Sequence, residues 1–360
     1  MKARLFVVNE ETIARVLTDM EVSVLVPEPK RKKRWNETLV DIVSDLMQVE
    51  VGDYIFLWES GSKKIYGVYR VISHPFYQAD EGRNDIFRIK IDIAYEFEKP
   101  IREYDVINNP YMKSKLWNII GKKVAGKSRG TSPLTLEEMQ FLIQSLIDAN
   151  EAYVYHNGYT IVDVDNELLF DMKNDFETMI LDRLEEYEYH PLKIKKGSGV
   201  QYEKALEGVL NYLFREQRQD IIDSLGIDCK NVVWFANYLP YGLERTEMDY
   251  MVMESLDGVT INRIDVIELM IKIIDVDHIN RCLQYAKWVA ESVTNNKNIV
   301  RPILICSNKS MSSGKGFINA EIAQAIADLP KSYGFKGIDI YTYSMGEEIS
   351  FTKYEGNLNE

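Results

Sequence analysis

Alternation of apolar and polar side chains over short stretches marks the first half of the chain. Asp53 to Trp58 is an apolar, aromatic run closed by the turn signal Glu59-Ser60-Gly61-Ser62, and Ile65 to Ile72 follows. The spacing predicts a β-hairpin. Pro75 interrupts, and Asp85 to Phe97, where Phe87, Ile89 and Ile91 alternate with Ile86, Arg88 and Lys90, predicts a third strand. Closely spaced strands with polar turns predict a small barrel. The period then changes. Thr135 with Glu138 three residues on is an N-terminal capping pair, and Phe141, Leu142, Ile143, Leu146 and Ile147 supply the apolar face of a helix.

Residues 149–199 read as a connector, with an Asn157-Gly158 hairpin signal, a helix over Glu167 to Glu188 and a glycine-containing boundary at Lys193 to Gly199. Beyond residue 200 the order becomes helix, strand, strand, helix, strand, helix, strand, which predicts an α/β domain over 200–360 with a mixed central sheet. Its first helix, Gln201 to Phe214, has an apolar stripe of Tyr202, Leu206, Val209, Leu210, Leu213 and Phe214. On a helical wheel Glu203 lies within about 60° of the stripe's centre and Glu207 near its edge. A strand at Glu247 to Met253 carries Asp249. A turn at Asp257-Gly258 leads to a long strand, Ile261 to Ile274, on which Glu268, Met270 and Lys272 share a face with Ile264 and Val266. In the helix that follows, Ile279, Leu283, Ala286 and Val289 point inward, with Gln284 and Trp288 on an adjoining face.

Hydrophobic residues make up 46% and charged residues 28% of the 360, an ordinary globular composition. No apolar window is long enough for a membrane span, and Met1 to Asn9 lacks the form of a signal peptide. Cys229, Cys282 and Cys306 lie far apart with no CxxC pair, so a disulfide framework and a structural zinc site are not expected, and a cytoplasmic location is. The net charge of −13 is unevenly spread. Residues 1–130 hold 22 Lys and Arg against 19 Asp and Glu, a net of +3, while the rest hold 21 against 37, a net of −16. The basic excess lies in Lys30 to Arg34 and in residues 111–130, which contain Lys113, Lys115, Lys122, Lys123, Lys127 and Arg129 and no acid. One basic run is ordinarily a solvated loop. Two in one half of an acidic chain point to a polyanion partner on that half.

Residues 1–148 resemble the EVE branch of the PUA-like barrels, at Gly52 to Trp58, Ile65 to Val71, Ser73 to Tyr77 and the stretch Trp117 to Leu134 with Gly121, Arg129-Gly130 and Ser132. The resemblance implies a pocket that holds a single, often modified, base. A flipped base offers a π-face for stacking and a polar edge for hydrogen bonds. Trp58, Tyr66, Phe76, Tyr77 and Trp117 are the candidate cage aromatics, Asn9 and Ser73 the candidate edge readers, and Lys122, Lys123, Lys127 and Arg129 the candidate phosphate contacts. Each aromatic has a rival role, since rings on small-barrel strands usually form core.

Residues 200–345 resemble the PD-(D/E)xK nucleases. Matched in order are Glu203, Asp249, Glu268 with Met270 in the lysine place, and Gln284 with Trp288 in the aromatic place. The resemblance implies Mg²⁺ or Mn²⁺ held by Asp249 and Glu268, with the Leu269 carbonyl and Glu203 assisting, because hard cations take oxygen ligands and activate water for phosphodiester hydrolysis. Met270 departs from the pattern, since it cannot carry charge or orient water. Lys272, roughly 6.5–7 Å further along the strand, is the candidate replacement. Ser312 to Gly316 lacks the full P-loop pattern and is read as a loop. The expectation is therefore an endonuclease directed to modified DNA, with a homodimer favoured if both strands are cut. The alternatives are a nucleic-acid-binding protein with a degenerate nuclease domain and an RNA-modification reader.

Overall fold

The structure is a computed structural model describing residues 2–24, 40–77, 87–110, 118–119, 130–156, 195–196, 199–200, 202–241, 246–272, 274–307 and 318–355. The fold is α+β, and the described residues fall into two compact units, one ending at His156 and one beginning at Lys195.

The first unit is a curled half-barrel sheet. Its strands are β1 (Ala3–Val8), β2 (Glu21–Val24), β3 (Tyr54–Glu59), β4 (Lys64–Val71), β5 (Phe76–Tyr77), β6 (Phe87–Ile93), β7 (Tyr95–Phe97), β8 (Ile101–Arg102) and β9 (Thr131–Leu134). The main path runs β2-β6-β4-β3-β1-β9, with β5 on β6 and β8 on β4. The predicted hairpin is present, with Trp58 opposite Ile65. β1 joins β3 in parallel, which needs a crossover, and α1 (Glu10–Asp19) lies between them in sequence. The core holds Leu5, Phe56, Val68, Leu142 and Leu146, all fully buried. Gly67 is required where it stands, because a Cβ would lie 2.9 Å from the Phe56 ring. Helix α2 (Leu136–Asp148) begins with the predicted capping box: Glu138 N–H donates to Thr135 Oγ1 and Thr135 N–H to Glu138 Oε2.

The Glu138 side chain does more than cap. It is fully buried and also accepts from the Asn118 and Ile119 amides at 2.9 and 3.0 Å, tying that segment to the helix start. Strand β10 (Tyr153–Tyr155), within the stretch read as a connector, pairs with β7. The hairpin expected at Asn157-Gly158, the helix over 167–188 and both basic runs lie outside the described residues.

In the second unit, Lys195–Lys196 (β11) pairs with Gly199–Val200 (β12) at the expected boundary. The main sheet has the order β13 (Val232–Tyr241), β14 (Thr246–Ser255), β15 (Ile261–Leu269), β16 (Val300–Ser307), β17 (Asp339–Met345), β18 (Ile349–Lys353). β13 to β15 are antiparallel, β15 to β17 parallel, and β18 returns antiparallel. Helix α3 (Glu203–Arg215) precedes the sheet, while α4 (Val276–Trp288) and α5 (Ala320–Ser332) supply the two parallel crossovers. Phe214 on α3 packs against Phe235 and Tyr250, with ring centroids 5.4 and 5.8 Å away. On α4, Ile279, Cys282, Leu283 and Ala286 are fully buried. The sheet is mixed, as expected, but β15 stops at Leu269. Past that end Met270 is buried and its N–H donates to the Ile305 carbonyl of β16, while the Ser307 N–H donates to the Lys272 carbonyl.

Candidate metal centre and base-reading residues

Strand register assembles the centre. Tyr250 pairs with Ile267, so one step along the ladder Asp249 faces Glu268, and the Leu269 N–H donates to Asp249 Oδ2 at 2.8 Å. Residues directly opposite in an antiparallel pair share a face, about 4.5–5.5 Å apart at Cβ. Two carboxylates are thereby held side by side. From α3, Glu203 and Glu207, one turn apart, complete the group: one oxygen each of Glu203, Glu207 and Asp249 lie within 4.8 Å of one another. Such an oxygen-only set suits a hard divalent cation.

Glu207 and Glu203 exchange the positions that the helical wheel gives them. Glu207 is fully buried, whereas Glu203 opens the helix and is only partly buried. The wheel registers only its own helix, and the sheet that covers Glu207 comes from elsewhere in the chain. Glu207 Oε2 accepts from Asn237 Nδ2 at 2.6 Å, and Lys204 Nζ stands 2.9 Å from Oε1 and 3.4 Å from the Tyr238 ring centroid. Glu268 is fully buried and receives Arg281 from α4, whose Nε donates to Oε1 at 2.6 Å while Nη2 reaches the same oxygen. Gln284 and Trp288 lie on the same side of α4 as Arg281, and the Trp288 ring meets Tyr241 at 5.9 Å. Lys272 is exposed beyond the strand end and reaches Glu203 only through its field.

Crowded burial sets the proton affinities. Desolvation, then the charges of Glu268, Glu203 and Glu207, holds the Asp249 carboxyl well above the usual carboxylate range, against the pull of the Leu269 amide. Burial pushes Glu268 up to about 7 even with Arg281 beside it. Burial and the neighbouring Glu207 raise Glu203. Four carboxylates thus meet two contacting cations, Lys204 and Arg281, and the imbalance is met by protons or by a dication. The residues therefore fit a divalent metal. Glu203, Glu207 and Asp249 would hold it, with Glu268 beside them. The sequence assigns no role to Glu207 or Arg281; the available signals are the Glu203/Glu207 spacing of four and an arginine three residues before Gln284 on the same helix.

In the half-barrel the expected base-reading residues are dispersed. Asn9 caps α1, its Oδ1 accepting from Thr12 N at 2.7 Å. Trp58 and Phe76 are 8% and 1% exposed and belong to the core, although the Trp58 Nε1 is buried without a hydrogen-bond partner. Ser73 Oγ accepts from the Lys90 amide at 2.9 Å, a β-sheet contact. Tyr66 donates from its hydroxyl to Glu59 Oε2 at 3.2 Å. Tyr77 continues β5, paired with Phe87. Trp117, Lys122, Lys123, Lys127 and Arg129 lie outside the described residues. An aromatic face not foreseen from the sequence stands on β7 and β10. Tyr95, Phe97, Tyr153 and Tyr155 share one side of that ribbon, with Tyr95 and Tyr155 centroids 4.7 Å apart and both β10 tyrosines exposed. The long separation between Phe97 and Tyr153, with β8, β9 and α2 in between, hides this pairing from local periodicity.

No family model matches the chain, and no curated protein matches it. Solved structures similar to part of it include a hypothetical protein from Leishmania major, at 9% identity, covering 41% of this chain and 96% of that one, TM-score 0.30. Human THYN1 protein in complex with 5-methylcytosine-containing DNA is similar at 11% identity, covering 42% of this chain and 100% of that one, TM-score 0.26. The YTH domain of Zygosaccharomyces rouxii MRB1 protein, in complex with N6-methyladenosine RNA, is similar at 14% identity, covering 39% and 85%, TM-score 0.25.

Proposed function

We propose that this protein is a metal-dependent endonuclease directed to nucleic acid carrying a modified base, with DNA the favoured substrate, recognition in the first unit and hydrolysis in the second. The observation that carries the reading is the cross-strand placement of Asp249 beside Glu268 with Glu203 and Glu207 closing the same oxygen cage. A bound Mg²⁺ or Mn²⁺ would supply charge neutralisation of a scissile phosphate and an acidified water. The chain's own part is to hold the ligand oxygens in register: the Leu269 amide fixes Asp249, Asn237 fixes Glu207 and Arg281 fixes Glu268. For recognition, the exposed tyrosines of β10 offer π-faces of the kind on which bases stack.

The test is a cleavage assay with Mg²⁺ and with Mn²⁺ on plain, methylated, hydroxymethylated and glucosylated-cytosine DNA. Cutting confined to a modified substrate is expected, and the substitutions Asp249→Ala and Glu268→Ala should abolish it while sparing binding. Cutting retained in both variants sinks the assignment. A second reading is favoured by one observation: Met270 is buried where the motif has lysine, and Lys272 sits off the strand. On that reading the protein binds modified nucleic acid without cutting, and selective binding with no cleavage under either metal is the outcome that supports it.

A further inference from the structure

We infer that Arg281 is the phosphate-binding cation of the acidic centre, and that Glu268 serves as its anchor more than as a metal ligand. The inference rests on the metal-dependent reading above and assigns roles within that site. A cage of carboxylates repels a phosphodiester, so a cation beyond the metal must meet the substrate. The described residues offer three basic side chains near the cage. Lys204 is committed, lodged between Glu207 and the face of Tyr238 with its side chain 18% exposed. Lys272 is exposed past the end of β15, with no contact to the carboxylates. Arg281 differs from both. Its Nε and Nη2 converge on one oxygen of the fully buried Glu268, its Nη1 has no partner among the described residues, and the side chain is 43% exposed.

That geometry is an anchored guanidinium with an open edge. One edge is held by Glu268, fully buried on β15, and α4, which carries Arg281, is fixed on the sheet by buried Ile279, Cys282, Leu283 and Ala286. The open edge presents the planar fork that matches phosphate oxygens. Arg281 thereby occupies Glu268 Oε1 and leaves that residue only its buried Oε2, whereas one oxygen each of Glu203, Glu207 and Asp249 already lie within 4.8 Å of one another. Arg281 supplies the positive charge that the buried Met270 cannot.

The experiment uses the full chain, stripped with EDTA and reloaded with Mn²⁺, and inorganic phosphate as probe. Manganese affinity is read by electron paramagnetic resonance and phosphate affinity by manganese-induced ³¹P relaxation, or by calorimetry where no metal binds. Arg281→Met should lower phosphate affinity at least about tenfold, the scale of one lost charge-assisted contact, with Mn²⁺ affinity little changed. Lys272→Met should alter neither. If the lone substitution leaves Glu268 uncompensated and prevents folding, the Arg281→Met, Glu268→Gln double variant removes that charge and should show the same loss of phosphate with Mn²⁺ retained. Phosphate affinity insensitive to Arg281, or lost in Lys272→Met instead, overturns the inference while Mn²⁺ binding keeps the metal reading. Arg281-dependent phosphate binding without any Mn²⁺ binding does the reverse. Binding of neither overturns both.

Discussion

Asp249 is held against its own electrostatics. Burial and three neighbouring carboxylates oppose its charge, and the Leu269 amide compensates only in part. Groups kept in such surroundings are commonly functional, and relieving them commonly stabilises. Asp249→Asn preserves the acceptor for Leu269 and removes one charge. It should raise the stability of the EDTA-treated protein at pH 8 by about 1–2 kcal/mol and abolish the increase in Tm that Mn²⁺ gives the wild type. Thermal unfolding with and without Mn²⁺ checks both; a destabilised variant that still responds to Mn²⁺ contradicts the placement. Proton linkage gives a companion expectation. Glu138, Glu254 and Glu268 are raised to about 7, each chiefly by burial. A carboxyl whose folded value is raised binds its proton more tightly in the native state, so its contribution is complete below the unfolded value and is lost as pH rises through 7. Carboxylates with lowered values, such as Asp257 and Asp275, are ionised in both states above pH 5 and add no slope there. The metal-free protein should therefore lose stability between pH 5 and 8, measured by urea midpoints, and a flat or rising profile would contradict the buried-carboxyl assignment. Mn²⁺ affinity should also rise with pH, since metal displaces the protons that burial favours on Asp249 and Glu203.

At the scale of elements, a charged clamp fastens the 3₁₀ turn before β13 to the middle of the sheet. Arg301 on β16 binds the fully buried Asp265 of β15 through Nε and Nη2 at 2.7 and 3.0 Å, and also reaches the Leu225 carbonyl and Asp339. Removing Arg301 leaves Asp265 buried and opposed only by Arg263 at 3.4 Å, so Arg301→Met should cost about 3–5 kcal/mol. Denaturant unfolding measures it, and a loss under about 1 kcal/mol would show that Arg263 alone suffices. The strands bounded by turn signals, β3, β4 and β14, were legible in the sequence, as was the Thr135 cap. β13 was not, because Pro240 and a polar Asn237 break its pattern; Pro240 suits the edge of the sheet, and Asn237 is buried as the partner of Glu207 from α3. The over-long reading of β15 came from the mostly apolar sequence Met270 to Ile274, of which Met270 and Ile274 are buried past the strand end for reasons local periodicity does not contain. Asp249 and Glu268 were individually visible, but their adjacency is a property of register. Glu207 and Arg281 acquire meaning only once α3 and α4 are set against the sheet.

For the whole molecule the decisive quantity is charge. The chain carries −13, with +3 in residues 1–130 and −16 in the remainder. A polyanion meets repulsion from that remainder, and a neutralised acidic centre removes the part of it nearest the proposed site. One dication offsets the surplus of the four carboxylates over Lys204 and Arg281. On the proposed function, metal should then govern affinity for nucleic acid as well as cleavage. With a short duplex bearing a modified base, and Ca²⁺ in place of Mg²⁺ so that a metal-bound complex can be measured, binding should strengthen several-fold over EDTA at equal ionic strength. The increment should vanish in Asp249→Asn and in Glu207→Gln. Screening alone cannot mimic this, because raising monovalent salt weakens phosphate contacts. Titrations followed by fluorescence anisotropy separate the two effects. An increment that survives in both variants would place the metal on the nucleic acid and not in the cage, whereas its loss in both, with metal-free affinity intact, places the ion in the cage.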